Sequence, residues 1–329
     1  MVSGEDKLIA RFFKPLATHP GALALSDDAA IFEPPAGHEL VLTTDALVAG
    51  VHFFPDDPAD AIARKALRMN LSDLAAKGAK PLGFLITLAL PSDINEAWLE
   101  NFSNGLWADA KEFVFPLFGG DTTRTPGPVT ISIFAFGSVP HGKMIKRSGA
   151  KPGDRILVTG TIGDAALGLA IRKQPDIAQS WKLDSASSNH LAARYLLPQP
   201  RVRLVDVLQA HASAAMDVSD GLAGDLGKLC QVSGVSADVS VSNVPLSPAA
   251  HKVLASNPRL MDIILSGGDD YEIVFTMKPD DVPTFRARAA MADVVVTDIG
   301  TIVAGQDEPR FIDAVGGTMS LSRKSFSHF

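Results

Sequence analysis

The stretch Ala214-Ala215-Met216-Asp217-Val218-Ser219-Asp220-Gly221-Leu222 runs from an apolar strand signal, through an acidic turn, into the start of a helix. Its strand reads as Ala214–Asp217 and its helix as Gly221–Val232. The same succession recurs along the chain in both directions, which argues for an α/β class. Downstream, strand signals return at Ala237–Val241, Tyr271–Met277 and Val294–Ile299. Immediately upstream, Val202–His211 reads as a helix. Before it, strand Arg155–Thr159 leads through Gly160-Thr161-Ile162-Gly163 into helix Asp164–Arg172, with Asp164 as the expected cap.

Further toward the N-terminus, Glu39–Thr44 is a short strand that enters a turn at Asp45. Ala61–Lys77 carries Ala63, Leu67, Leu71 and Leu74 at helical spacing, which predicts a helix with one buried stripe. Leu82–Leu90 is almost unbroken in its apolar character, as in a strand covered on both faces. Asn95–Glu112 reads as an amphipathic helix. Val129–Ala135 alternates Val129, Ile131 and Ile133 with Thr130 and Ser132, a half-buried strand. The charged, turn-rich segment Gly142–Asp154 interrupts this order and marks the expected boundary between domains of residues 1–148 and 149–329.

Composition narrows the class of function. A length of 329 residues accommodates two ordinary domains, and 46% hydrophobic with 20% charged residues is a globular balance. A net charge of −7 supplies no basic footprint for nucleic acid. No apolar run approaches ~20 residues, so no membrane span is expected. The N-terminal segment carries Glu5, Asp6 and Lys7 and lacks an apolar signal core. Cys230 is the one cysteine, which excludes an internal disulfide framework and fits a reducing cytoplasm. On the Gly221–Val232 helix it reads as a small buried hydrophobe.

What distinguishes the chain is aspartate after apolar runs. The cases are Asp27-Asp28, Thr43-Thr44-Asp45, Asn70-Leu71-Ser72-Asp73, Gly119-Gly120-Asp121, Asp217-Val218-Ser219-Asp220 and Gly267-Gly268-Asp269-Asp270. A single aspartate in such a place is ordinarily a turn or cap residue. Carboxylates gathered together repel one another, and a divalent cation is the natural counter-charge where lysine and arginine are sparse. Carboxylate and hydroxyl oxygens suit Mg²⁺, completed by waters and substrate phosphates. Two of the segments also echo each other as [N/D]-apolar-Ser-Asp, through either internal duplication or coincident capping. There is no P-loop, no G-x-S-x-G elbow and no H-E-x-x-H, and the eight histidines are scattered. Read this far, a kinase, an ATP-dependent ligase and a D-x-D transferase all remain open.

Taken together, these segments resemble the thiamine-monophosphate kinase family, within the superfamily that also holds aminoimidazole ribonucleotide synthetase. The resemblance runs nearly end to end. It covers Thr43-Thr44-Asp45 through Gly50-Val51-His52-Phe53, Asn70-Leu71-Ser72-Asp73-Leu74-Ala75 and Gly119-Gly120-Asp121-Thr122-Thr123. It continues through Arg147-Ser148-Gly149, Asp217-Val218-Ser219-Asp220-Gly221 and Ser266-Gly267-Gly268-Asp269-Asp270-Tyr271-Glu272 to the terminal His328-Phe329. Two departures stand out: Ser26 where the family has Gly, and Asp269, one methylene shorter than the family's Glu.

The resemblance implies two α/β domains with mixed sheets, related as a duplication, in the aminoimidazole ribonucleotide synthetase-like fold. It also implies a homodimer whose N-terminal strands form a shared barrel, with active sites along the cleft. The implied reaction is ATP plus thiamine phosphate giving ADP and thiamine diphosphate, with several Mg²⁺ ions. By the same resemblance Asp28, Thr43, Thr44, Asp45, Asp73, Asp121, Asp217 and Asp220 are metal ligands, with Asp45, Asp121, Arg147 and Asp220 at the catalytic centre. Gly120, Asp121, Arg147 and Ser219 line the ATP site. His52, Asp269 and Phe326 line the thiamine phosphate pocket. Without the family His52 reads as an ordinary partly buried histidine and Phe326 as a tail anchor. The competing implications are another ATP-dependent synthetase of the superfamily, or a non-catalytic MgATP-binding regulator. A selenophosphate synthetase-like enzyme would need a reactive cysteine in an N-terminal Gly-rich segment, which this chain lacks.

Overall fold

The computed structural model describes residues 4–323 and 325. Its contacts divide the chain into two units: one of residues up to Ala75 plus Ala79–Met144, the other of Ala76–Gly78 plus the chain from Ile145 onward. The tripeptide belongs to the second unit through hydrogen bonds. Lys77 Nζ donates to the Ala215 carbonyl at 2.7 Å, and the Ile145 N–H donates to the Lys77 carbonyl at 3.1 Å.

The first unit opens with a short helix, α1 (Gly4–Leu8), and irregular helical turns to Leu25. Then come β1 (His38–Val48), α2 (Ala59–Ala76), β2 (Lys80–Leu90), α3 (Glu96–Glu112), β3 (Leu117–Arg124) and β4 (Thr130–Pro140). The sheet order is β1-β4-β2-β3, antiparallel except for the parallel β2–β3 pair. Asn95 caps α3 by accepting the Trp98 N–H at 2.9 Å.

Helix α2 departs from the expected single stripe, because it is buried nearly all round. Thr43 of β1 meets it on one side, and Asp109 of α3 meets it on another. Arg68, 2% exposed, binds the fully buried Asp109 carboxylate in two places: Nε to Oδ2 at 2.6 Å and Nη2 to Oδ1 at 2.9 Å. Arg64 adds a third bond at 2.9 Å. Charge at these helix positions is therefore satisfied inside the protein, which apolar spacing alone does not reveal.

The second unit holds β5 (Arg155–Thr159), α4 (Asp164–Lys173), α5 (Ile177–Ser180), α6 (Ser185–Leu196), α7 (Val205–His211), β6 (Ala214–Val218) and α8 (Leu222–Ser233). It continues with β7 (Ser236–Ser240), α9 (Pro248–Ser256), α10 (Met261–Ser266), β8 (Glu272–Met277), α11 (Val282–Met291), β9 (Val296–Val303) and β10 (Arg310–Ile312). Its six strands are ordered β10-β7-β9-β5-β8-β6, antiparallel except for β10–β7. Ile156, Val158, Met216, Val218 and Val274 from the sheet pack with Leu167, Leu222 and Leu226 from the helices in one core. Both sheets are thus mixed. Cys230 is 1% exposed on α8, and burial pushes its thiol up to about 12.

Several acidic segments read as turns lie in regular structure. Asp45 sits inside β1, which keeps pairing with β4 as far as Val48, so no turn forms there. Asp121 lies within β3 because Gly119 and Gly120 let that strand pair closely with β2. Asp73 lies within α2. Asp164 is not a cap: the α4 amides are taken by a residue more than a hundred positions away, described below. Among the described residues, no helix is long and apolar enough to cross a membrane.

Candidate active site

In the first unit the pleat of β1 sorts the candidate ligands. Thr43 and Asp45 share a face with the buried Val41 and Leu47, while Leu42, Thr44 and Ala46 point the other way. Thr43 Oγ1 donates to Asp73 Oδ2 at 2.5 Å, joining β1 to α2 on the Thr43–Asp45 face. The side chain of Thr44 is on the opposite, exposed face. His52 lies in the turn after β1, where its Nδ1 accepts the Val48 N–H at 3.0 Å, so the ring proton sits on Nε2. Lys65 Nζ donates to the His52 carbonyl at 3.1 Å.

A pocket of about 220 Å³ opens beside β2 and β3. Asp27 and Asp28 stand on one rim and Gly120 and Asp121 on another, with Phe13, Leu25 and Leu117 in the wall. Gly120 is required there: a Cβ would lie 1.9 Å from the Ile86 carbonyl oxygen. The first unit therefore presents two groupings, Thr43–Asp73 with Asp45 beside them on the strand, and Asp28 with Asp121 around the pocket.

In the second unit Asp217 is buried in β6, and Ser219 and Asp220 form the turn leading to α8. This turn is fastened to the segment before β8. The Asp269 N–H donates to the Ser219 carbonyl at 2.8 Å and the Tyr271 N–H to the Val218 carbonyl at 2.9 Å. Gly268 allows the approach, since a Cβ would fall 2.3 Å from the Ser219 oxygen. Asp269 and Tyr271 both adopt left-handed backbone, φ 73° and 50°. Strain of this kind costs of order 1–3 kcal/mol per residue and persists only where the surroundings enforce it.

The enforcing groups are buried. Asp270, between the two strained residues, accepts the Gly163 N–H at 2.6 Å and the Ala165 N–H at 3.2 Å, capping α4 across the fold. Burial pushes its carboxyl well above the usual carboxylate range, with Asp164 adding to the rise and the two amides and Arg194 opposing it. Glu272 is fully buried and accepts from Thr159 Oγ1 at 2.7 Å, Arg194 at 2.8 Å and Arg201 Nε at 2.6 Å. Asp164 in turn accepts from Thr161 at 2.7 Å and Ser247 at 2.5 Å.

Arg147 is exposed on the loop before β5, and that loop is pinned by Ser233. The Ser233 hydroxyl donates to the Arg147 carbonyl at 3.3 Å and accepts the Gly149 N–H at 3.2 Å. Asp220 is held by Lys228, whose Nζ lies 2.5 Å from Asp220 Oδ2 and 2.9 Å from Asp225 Oδ1. Burial works to lower the Lys228 pKa, but the hydrogen bonds to the two acids outweigh it and hold the ammonium above its ordinary value. Phe326 lies outside the described residues.

The donor chemistry fits Mg²⁺. Every candidate ligand is an oxygen, and the ammonium on Asp220 is a cation already standing at that carboxylate. Among the described residues no three His, Cys, Asp or Glu side chains form a group that could hold an ion. Mg²⁺ ordinarily takes one or two carboxylates and completes its shell with waters and substrate phosphates. Sequence reasoning named Asp27, Asp270 and Glu272 within its acidic segments but gave them no role, and it missed Asp225 and Lys228. Only the Asp225–Lys228 spacing of three residues on α8 carried a local signal.

Comparison with known proteins accounts for nearly the whole chain. Residues 26–139 match the family described as AIR synthase related protein, N-terminal domain, and residues 151–312 match its C-terminal domain. The thiamine-monophosphate kinase of Caulobacter vibrioides is 44% identical over 302 residues, 91% of this chain and 84% of the relative. The crystal structure of thiamine-monophosphate kinase from Stenotrophomonas maltophilia K279a superposes with a TM-score of 0.82 at 39% identity, covering 92% of this chain and 94% of that one. AaThiL complexed with AMPPCP and TMP matches with a TM-score of 0.75 at 30% identity, covering 92% and 91%. With both domain models matched and identity of this level over almost the full length, the chain belongs to the thiamine-monophosphate kinase family.

Proposed function

We propose that this chain transfers the γ-phosphoryl group of ATP directly to thiamine phosphate, giving ADP and thiamine diphosphate. The observation that carries the reading is the fastening of Ser219 to Asp269. The residue assigned to nucleotide and the residue assigned to thiamine phosphate are hydrogen-bonded into one rigid piece of the second unit. Positioning of this kind is what phosphoryl transfer asks of a protein, since the covalent demands are small.

The acceptor is a phosphate oxygen, largely ionised at neutral pH because the second pKa is about 6. It attacks the γ-phosphorus as the bond from that phosphorus to the β,γ-bridging oxygen breaks, and ADP leaves with the bonding pair. No general base is needed, which agrees with a His52 whose Nδ1 is committed to the backbone. Arg147 supplies a guanidinium for the phosphates on a loop fixed by Ser233. Asp269, in left-handed backbone and fastened to Ser219, would contact the thiamine phosphate, and the pocket beside Gly120 and Asp121, walled by Phe13, Leu25 and Leu117, would take the flat adenine ring. Several Mg²⁺ ions, held by Asp28, Thr43, Asp45, Asp73, Asp121, Asp217 and Asp220, would neutralise the charge that accumulates between the two polyanions. Thr44 would join that set through its backbone, its side chain being on the other face of β1.

We further place the protein in the cytoplasm, where ATP and a reducing environment are present, as a homodimer through the first unit. Leu42 at 57% exposure, with Leu40 and Phe134, leaves an apolar strip on β1 and β4 that fits pairing with a second copy. ADP release should occur with thiamine phosphate and not with other phosphorylated acceptors. Protein incubated with γ-labelled ATP alone should stay unlabelled; turnover on a different acceptor, or a stable labelled adduct, would overturn the reading.

A further inference from the structure

Asp220 does not stand alone in the second unit. Its backbone N–H donates to Asp225 Oδ2 at 2.9 Å, and its Oδ2 lies 2.5 Å from the Lys228 ammonium. Asp225 is fully buried, and its other oxygen accepts from the same ammonium at 2.9 Å. One carboxylate thus grips both the backbone of the turn and the lysine that neutralises the turn's acid. Lys228 and Asp220 keep 39% and 36% of their side chains exposed, so solvent and ions reach the pair.

An ammonium hydrogen-bonded to a carboxylate oxygen and a divalent ion coordinated at about 2.1 Å compete for the same lone pairs. Their like charges also repel at such range. Lys228 keeps a partner when Asp220 is given up, because its ammonium already donates to Asp225 Oδ1. Neither the lysine nor the buried acid is then left unpaired, which is the arrangement an exchangeable cation requires. A lysine serving only as a surface helix pair would need no second, buried acceptor.

We propose that Lys228 is the resident cation of Asp220, and that a divalent ion gains this carboxylate by displacing the ammonium, which stays on Asp225. The proposal rests on the reading of Asp220 as a metal ligand. Its consequence is that Lys228 sets the threshold for metal loading, keeping the acidic turn ordered and charge-balanced when the metal is away.

The test is Mn²⁺ binding to the full chain without nucleotide, followed by electron paramagnetic resonance of the free ion. Lys228→Met keeps the apolar stem and removes the charge, so it should tighten Mn²⁺ binding by roughly 3- to 10-fold. The melting temperature of the metal-free protein should fall, while its rise on adding Mn²⁺ should grow. Lys228→Arg retains the charge and should bind Mn²⁺ as the natural protein does. Unchanged or weaker binding in Lys228→Met, with Asp220→Asn clearly weakened, would overturn the exchange and leave Asp220 as a ligand. Unchanged binding in Asp220→Asn would overturn the ligand reading itself, and the proposal with it.

Discussion

Asn70-Leu71-Ser72-Asp73 and Asp217-Val218-Ser219-Asp220 follow one pattern in sequence and two in structure. The first lies inside α2, with Asn70, Leu71 and Ser72 fully buried and Asp73 receiving a neutral hydroxyl from Thr43 across 30 residues. The second runs off the end of β6 into an open turn, where Asp220 receives an ammonium. Each unit therefore presents an acid, but one acid is borne by a rigid helix and the other by a turn tied down through its backbone. The echo does not fall on equivalent elements, so it gives no structural support for duplication. It does show two ways of holding a carboxylate: order from packing, and order from a nearby charge.

If packing holds Asp73, loosening α2 should be the most damaging change. Asp109→Asn removes the buried carboxylate that Arg68 and Arg64 share and leaves the Arg68 charge to the half-exposed Glu112 at 3.2 Å, and breaking a buried pair costs about 3–5 kcal/mol. Urea unfolding should register that loss; a value below about 1 kcal/mol would break the picture of α2 as a rigid support.

Asp45 shares the strand face of Thr43, so Asp45→Asn tests the helix-borne side of the comparison at the chemistry itself. Turnover should fall by roughly 100-fold or more, since even outer-shell partners of a metal are worth 10- to 100-fold. The melting temperature should hold. Normal activity at saturating Mg²⁺ would remove this carboxylate from the metal reading.

The turn-borne side depends on close backbone approach. In Gly268→Ala the new methyl meets the Ser219 oxygen, and overpacking of that kind costs about 1–3 kcal/mol. Because Ser219 and Asp269 are fastened together, KM for ATP and for thiamine phosphate should rise together. A rise in one alone would mean that the two segments move independently.

The smallest expected effect separates hydroxyl from charge. Thr43→Val removes the hydrogen bond to Asp73 and should weaken Mg²⁺ activation by up to about 10-fold. Thr43→Ser should restore it. Equal behaviour of the two variants would assign Thr43 to packing alone.

Much of the fold was legible because it is locally encoded. Arg155–Thr159 is β5 with the bounds its composition suggested, and Asn95–Glu112 is α3 with Asn95 as its cap. Both depend on spacing within one element. The Gly119-Gly120-Asp121 segment misled because glycine signals a turn when read alone. In β3 it serves a backbone contact with Ile86, and Ile86 belongs to another strand. Asp164 misled in the same way: it occupies a cap-like position, but the α4 amides are met by Asp270, 105 and 107 residues distant.

The sequence by itself determined the class of fold, the positions of the acids and the oxygen-rich chemistry they offer. Those depend on side-chain type and on periods of two or 3.6 residues. Only the tertiary structure decided which acids have a hydroxyl, an amide or an ammonium against them. The Thr43 hydroxyl reaches Asp73, the Gly163 amide reaches Asp270 and the Lys228 ammonium reaches Asp220. The partner of a polar group is set by where the chain returns in space. That return is a property of the packed whole, to which no local window of sequence has access.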